Sequence, residues 1–109
     1  MLGGSSSINV MAYTRGHRGD YDRWAQKGCK GWSYAEILPY FKRGETFNGG
    51  ENTWRGGDGP LHTTWGTYRD PVVDAWIEAC RSAGWPVTED MNGGAPEGVG
   101  LPQFTIHRG

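Results

Sequence analysis

Leu2-Gly3-Gly4-Ser5-Ser6-Ser7-Ile8-Asn9 runs without a break into Val10-Met11-Ala12-Tyr13. Three readings compete for such a tract. Gly/Ser runs serve as flexible tethers, but this one feeds directly into an apolar stretch. A nucleophile elbow needs G-x-S-x-G, and the residue two past Ser5 is Ser7. The third reading is an anion cradle. Consecutive small residues let backbone N–H groups and hydroxyls approach a phosphate without side-chain obstruction. Neither G-x-G-x-x-G nor the Walker pattern occurs, so this cradle makes a secondary phosphate contact.

The rest of the chain frames that segment. Its 109 residues allow one domain at most. Leu, Ile, Val and Phe together number 16, below the roughly 20% that marks a good core former. A formal charge of −1 and 13% aromatic residues nonetheless argue for order. Nineteen glycines exceed the usual share of roughly 7% more than twofold, which predicts long loops. Eleven basic and twelve acidic residues are interspersed, so no basic patch for nucleic acid is expected. No run approaches the ~20 apolar residues of a membrane span, and the N-terminus carries no signal-peptide pattern. Cys29 and Cys80 are too few for a disulfide scaffold, and no C-x-x-C supports a zinc site.

Local signals predict three helices. The first covers Asp20 to Lys27, with Asp20 as N-cap, Trp24 inward and Gly28 just past the end. The second starts at the capping box Ser33-Tyr34-Ala35-Glu36 and puts Ile37, Tyr40 and Phe41 on one face. Pro39 limits it or bends it. The third starts at Asp70-Pro71, repeats Val73, Trp76, Ile77 and Cys80 at helical spacing, and ends at Gly84. Gly44 to Gly59 reads as a loop with six glycines, and Gly93 to Gly100 as another. Short strands are expected at 60–64 and at 101–107, the latter with Phe104 and Ile106 on one face.

Taken in order, several motifs resemble one family. Gly3-Gly4-Ser5-Ser6-Ser7-Ile8-Asn9, then Tyr13, Arg15-Gly16-His17, Asp20-Tyr21-Asp22 and Trp24, are similar to the first signature of the glucose–methanol–choline (GMC) flavin oxidoreductases. Gly31-Trp32-Ser33-Tyr34, Leu38-Pro39-Tyr40-Phe41-Lys42-Arg43, Glu45 and Arg55-Gly56-Gly57-Asp58-Gly59-Pro60-Leu61 continue it. Thr88-Glu89-Asp90-Met91-Asn92-Gly93 and Glu97-Gly98-Val99-Gly100 look like choline dehydrogenases and related alcohol dehydrogenases. Each motif alone is weak. Their order over nearly the whole chain is what carries the resemblance.

The resemblance implies an α+β piece of an α/β FAD-binding parent, with about three helices, a few short strands and long Gly-rich loops. Residues 1–109 would be a partial FAD-binding domain, lacking the N-terminal dinucleotide-binding unit and the C-terminal catalytic part with its histidine. The implied reaction moves a hydride from the CH–OH group of a small-molecule alcohol to FAD. The isolated chain is expected to be inactive and of marginal stability, its partner being the remainder of the parent, which is cytoplasmic or peripheral to a membrane. Gly3, Gly4, Ser5 and Ser6 match backbone beside the FAD pyrophosphate. Asn9 matches an asparagine near the ribityl and pyrophosphate portion, and Val10, Met11, Ala12 and Tyr13 match the stretch along the isoalloxazine edge. Many members carry Gly or Ala at Val10, so this larger side chain crowds the flavin. Ile8 stands where some relatives place a flavin-linked histidine, so the FAD is expected to be non-covalent.

The remaining chemistry-bearing residues favour plain roles. His17 reads as part of a structural turn, and neither His62 nor His107 is placed as a base. The six tryptophans suit core packing better than sugar stacking, although an independent Trp-rich carbohydrate-binding module is the alternative reading. Asp90-Met91-Asn92-Gly93-Gly94 lacks EF-hand spacing and reads as a turn whose Asn-Gly supplies positive φ. Cys29 reads as a loop thiol and Cys80 as a small core residue.

Overall fold

A computed structural model describes residues 2–107. A single 3-10 turn at Gly4–Ser7 precedes β1 (Ala12–Tyr13), α1 (Arg18–Gln26) and α2 (Tyr34–Gly44). There follow β2 (Glu45–Phe47), β3 (Leu61–Trp65), α3 (Pro71–Ser82) and β4 (Gln103–Phe104). The α+β expectation of three helices and a few short strands is what the chain forms.

Each helix begins and ends on a local device. His17, rather than Asp20, caps α1: its Nδ1 accepts from the Gly19 N–H at 3.1 Å. Asp20 sits in the first turn instead, where its charge suits the helix dipole and pairs with Arg23. Gly28 (φ 102°) closes α1 as a Schellman motif, with Cys29 N–H to Trp24 O at 3.1 Å and Gly28 N–H to Ala25 O at 3.0 Å. In α2, Glu36 Oε2 accepts from the Ser33 N–H (3.1 Å) and from Ser33 Oγ (2.5 Å), and those bonds hold its carboxyl below the usual range. The helix runs on through Pro39 to Gly44. Asp70 caps α3 through the Val72 N–H at 2.8 Å. Gly84 (φ 86°) ends it, with Trp85 N–H to Cys80 O and Gly84 N–H to Arg81 O both at 3.0 Å.

The sheet has the order β1-β4-β3-β2, antiparallel except for the parallel pair β2–β3. Its edge strand β2 lies within the stretch expected to be loop. Glycine depletes a strand of side-chain packing but does not remove its hydrogen bonds. Here β2 pairs with β3 in the register Glu45↔Leu61, Thr46↔His62 and Phe47↔Thr63. The glycines serve the return path: Phe47 N–H donates to Gly56 O and Gly59 N–H to Glu45 O, each at 2.9 Å. The strand expected at 101–107 shortens to Gln103–Phe104, and the one at 60–64 shifts to Leu61–Trp65.

The interior departs from a conventional apolar core. Among the described residues, Ile37, Phe47, Ile77 and Cys80 are the buried hydrophobic side chains. The largest side chains wholly out of water are Arg55, Gln103, Glu45 and Thr63. The tryptophans do not fill a core. Trp24, Trp32, Trp76 and Trp85 are exposed, Trp54 and Trp65 half-buried. Trp24 and Trp32 join Tyr21 and Phe41 in an edge-to-face aromatic cluster between α1 and α2. On α3, Ile77 and Cys80 turn inward while Val72 and Trp76 of the same apolar helix face solvent. The accessible surface of 7671 Å² exceeds the roughly 6,000 Å² of a compact monomer of this mass. The Cα radius of gyration, 15.8 Å, likewise exceeds about 13 Å. Cys29 is exposed, Cys80 buried, and both are free thiols.

Candidate functional site

The Gly/Ser segment lies on the surface. Gly3 (φ 86°) and Gly4 (φ 63°) adopt left-handed backbone that side chains resist. A Cβ on Gly3 would overlap Ser7 Oγ, whereas one on Gly4 would meet open space. Ser6 Oγ donates to Gly3 O at 2.7 Å and Ser7 Oγ to Leu2 O at 3.0 Å, closing the turn on itself. The N–H groups of Ile8 and Asn9 both reach Ser5 O at 3.0 Å. Gly3, Gly4, Ser5, Ser6, Asn9, Val10, Met11 and Ala12 are all exposed, and Tyr13 is half-buried. They form one continuous ribbon, not a closed pocket.

From Met11 onward this ribbon is tied to the body. Asn9 Oδ1 accepts from the Met11 N–H at 2.8 Å, and Met11 itself stands at φ 57°. Met11 O accepts from the Thr105 N–H at 2.8 Å. Ala12 and Tyr13 pair with Phe104 and Gln103. Asn92 Nδ2 donates to Tyr13 O at 3.2 Å, while its Oδ1 accepts from the Arg15 N–H at 2.6 Å.

Behind the ribbon lies a buried network of charged and amide groups. Arg55 grips Glu45 bidentately, Nε to Oε2 at 3.0 Å and Nη2 to Oε1 at 2.6 Å. Its Nη1 donates to Asp90 Oδ1 (2.7 Å) and Gln103 Oε1 (2.9 Å). Thr63 Oγ1 donates to Glu45 Oε1 at 2.7 Å, and Arg15 Nη2 reaches Glu45 Oε2 at 2.7 Å. The Arg55 guanidinium also stacks 3.7 Å from the centre of the Phe47 ring. Burial alone would raise the Glu45 pKa. The Arg55 and Thr63 hydrogen bonds and the two guanidinium charges outweigh it and hold the carboxyl below its ordinary value. Burial would lower Arg55 in turn, and the bonds and charges of Glu45 and Asp90 raise it. No buried side-chain polar atom among the described residues lacks a partner.

The sequence singles out the ribbon and gives no sign of the network. Arg15, Glu45, Arg55, Asp90 and Asn92 all fall in the family-like motifs, but no local pattern pairs them. Asn92 was expected to supply positive φ, yet neither it nor Gly93 does so. It is instead buried, in a turn closed by Gly93 N–H to Asp90 O at 3.0 Å and Asn92 N–H to Asp90 Oδ1 at 3.0 Å. The histidines have structural partners. His17 caps α1 and pairs with Glu97 at 3.3 Å, and His62 stacks on His107 with ring centres 3.8 Å apart.

Known proteins share this chain's sequence and architecture. The GMC oxidoreductase family model matches residues 1–108. An oxygen-dependent choline dehydrogenase from Sinorhizobium medicae is 55% identical over all 109 residues, which cover 20% of that protein. Among solved structures, pyridoxine 4-oxidase from Mesorbium loti superposes with a TM-score of 0.88 at 34% identity, over 99% of this chain and 22% of its own. An FAD-dependent oxidoreductase from Chaetomium thermophilum gives 0.86 at 34% identity, over 98% of this chain and 20% of its own. The chain thus spans about a fifth of the length of the relatives it matches. Nothing in these similarities favours a carbohydrate-binding module. With a family match over nearly every residue and the same fold in its solved relatives, the chain belongs to the GMC oxidoreductases.

Proposed function

We propose that this chain forms part of the FAD-binding half of a flavin-dependent oxidoreductase acting on the CH–OH group of a small alcohol of the choline type. The observation that carries the reading is the ribbon from Gly3 to Tyr13. It holds the family's Gly/Ser signature in a turn closed on itself, runs into backbone fixed from behind at Met11 to Tyr13, and leaves its outer face uncovered. The residues suit the cofactor. Gly3 and Gly4 present bare, left-handed backbone where a phosphate must approach closely. Leu2, Ile8, Val10 and Met11 expose apolar surface next to it, as a partner for a flat, largely apolar ring system.

In this reading Gly3, Gly4, Ser5 and Ser6 lie beside the pyrophosphate and Asn9 beside the ribityl chain. Val10, Met11, Ala12 and Tyr13 line the ring edge. Ile8 offers no nucleophile, so FAD is held without a covalent bond. When bound, FAD supplies the two-electron acceptor for the carbinol hydride. The chain's own part is to bind and orient that group. A base for the hydroxyl proton comes from outside these residues, since His17, His62 and His107 are engaged in structural contacts.

Titration of the purified chain with FAD, following flavin fluorescence and circular dichroism together, tests this. Saturable quenching with a folded spectrum is expected. A folded chain that leaves flavin fluorescence unchanged at saturating protein would refute the reading.

A further inference from the structure

Met11 is, among the described residues, the one non-glycine with positive φ. A bulky residue there costs roughly 1–2 kcal/mol, and such strain persists only where surroundings over-determine it. The surroundings here can be named. Met11 O takes two donors from one residue, Thr105 N–H at 2.8 Å and Thr105 Oγ1 at 3.3 Å. Two residues on, Asn92 bonds the backbone on both sides of Thr14, donating to Tyr13 O and accepting from Arg15 N–H.

Asn92 is itself locked. It is 3% exposed, and its Nδ2 also donates to Gln103 Oε1 at 2.7 Å. Gln103 Nε2 donates to Asp90 Oδ1 at 2.9 Å, and Arg55 Nη1 bonds both Gln103 and Asp90. The amide therefore has one orientation: its NH2 faces two carbonyl oxygens and its oxygen faces an N–H. The residues it bonds turn inward, Tyr13 half-buried and the Arg15 side chain 3% exposed, while those just before them stay in solvent. Val10 is 75% and Met11 40% exposed. A buried polar network thus anchors the inner end of a ribbon whose outer residues, Val10 and Met11, are open to solvent.

We infer that Asn92 is a positioning residue, presetting the backbone from Met11 to Arg15 in the shape that receives the flavin. This rests on the flavin reading above. Preorganisation lowers the ordering cost of binding, so loss of the clamp weakens binding without removing any group that touches the cofactor.

The test compares Asn92→Ala with Ile77→Ala, which destabilises α3 away from the ribbon, both under conditions where circular dichroism shows a folded chain. Amide exchange over residues 10–15 is measured without flavin, and FAD affinity by fluorescence quenching. Asn92→Ala is expected to exchange faster over 10–15 and to bind FAD about five- to tenfold more weakly, with Ile77→Ala close to wild type on both. If Asn92→Ala does not fold, the isosteric Thr105→Val removes one donor to Met11 O and is expected to move both readouts the same way, by about twofold. Exchange over 10–15 no faster than in Ile77→Ala overturns the positioning role. Faster exchange with wild-type affinity overturns its link to the flavin. A wild-type chain that does not quench FAD fluorescence sinks the flavin reading alone, because the exchange comparison contains no flavin.

Discussion

Arg55 and Glu45 meet through two near-parallel hydrogen bonds of 3.0 and 2.6 Å, with neither side chain more than 1% exposed. They are ten residues apart, and the glycine-rich return from β2 to β3 brings them together. Each buried charge is costly unless paired and fully hydrogen-bonded. This pair meets both conditions, because Thr63, Asp90, Gln103 and Arg15 occupy the remaining positions around it.

Removing one member leaves charge stranded. Glu45→Gln deprives both Arg15 and Arg55 of their shared carboxylate. The expected loss is about 3–5 kcal/mol, the range for breaking a buried pair, which is comparable to the whole stability of a small domain. Urea denaturation followed by circular dichroism checks it. A loss under 1 kcal/mol would mean that the network is open to water.

The arginine is equally particular. Arg55→Lys keeps the charge but has a single nitrogen to reach Glu45, Asp90, Gln103 and Thr63, groups now served by three. At least one buried acceptor goes unpaired, at about 1–3 kcal/mol. A melt within error of wild type would contradict this.

Acid should unfold the chain through the same carboxylate. The Glu45 pKa lies below its ordinary 4.5 in the folded state. Its contribution is therefore complete above the unfolded value and is lost as pH falls through the lower folded one. The melting temperature is expected to be level, as far as Glu45 is concerned, from neutral pH down to about pH 5 and to drop below that. In Glu45→Gln that component of the acid drop should vanish. Equal acid sensitivity in both chains would assign the effect to other carboxylates.

Two glycines let the backbone close around the pair. A Cβ on Gly59 would run into Glu45 N and Gly44 C, and one on Gly56 into Lys42 O. These neighbours are backbone and cannot swing aside. Gly59→Ala is expected to cost about 2 kcal/mol or more by forcing β2 away from its return loop. Gly50→Ala has open space but φ 88°, so its cost is that of backbone strain alone, about 1 kcal/mol. Thermal melts of the two variants should rank in that order.

The cap of α3 gives a local comparison. Asp70→Ala removes the acceptor for the Val72 N–H and should cost about 1 kcal/mol. The apolar face of α3 is only partly covered, so this helix leans on its own end signals. Amide exchange within 71–82 should rise before that of β3, and uniform change across the chain would argue against it.

Features confined to one turn of chain were legible in the sequence. The Ser33–Glu36 box, the Asp70-Pro71 start and the glycines at 28 and 84 act on backbone groups within five residues. Their residue types alone announce three helices and where two of them stop, whereas α2 runs through Pro39 to Gly44. The ordered motifs likewise carried the family, and with it the ribbon from Gly3 to Tyr13. Tertiary structure alone decided what lies inside. Glu45–Phe47 becomes a strand only because β3 offers it partners. Arg15 finds Glu45 30 positions away and Asn92 77 away, separations over which sequence has no periodicity to display. The tryptophans are apolar enough to be buried, but burial needs a second surface, and this stretch of chain leaves Trp24, Trp32, Trp76 and Trp85 without enough of one. Hydrogen-bond caps are local chemistry, whereas burial and charge pairing depend on which distant groups the fold brings together.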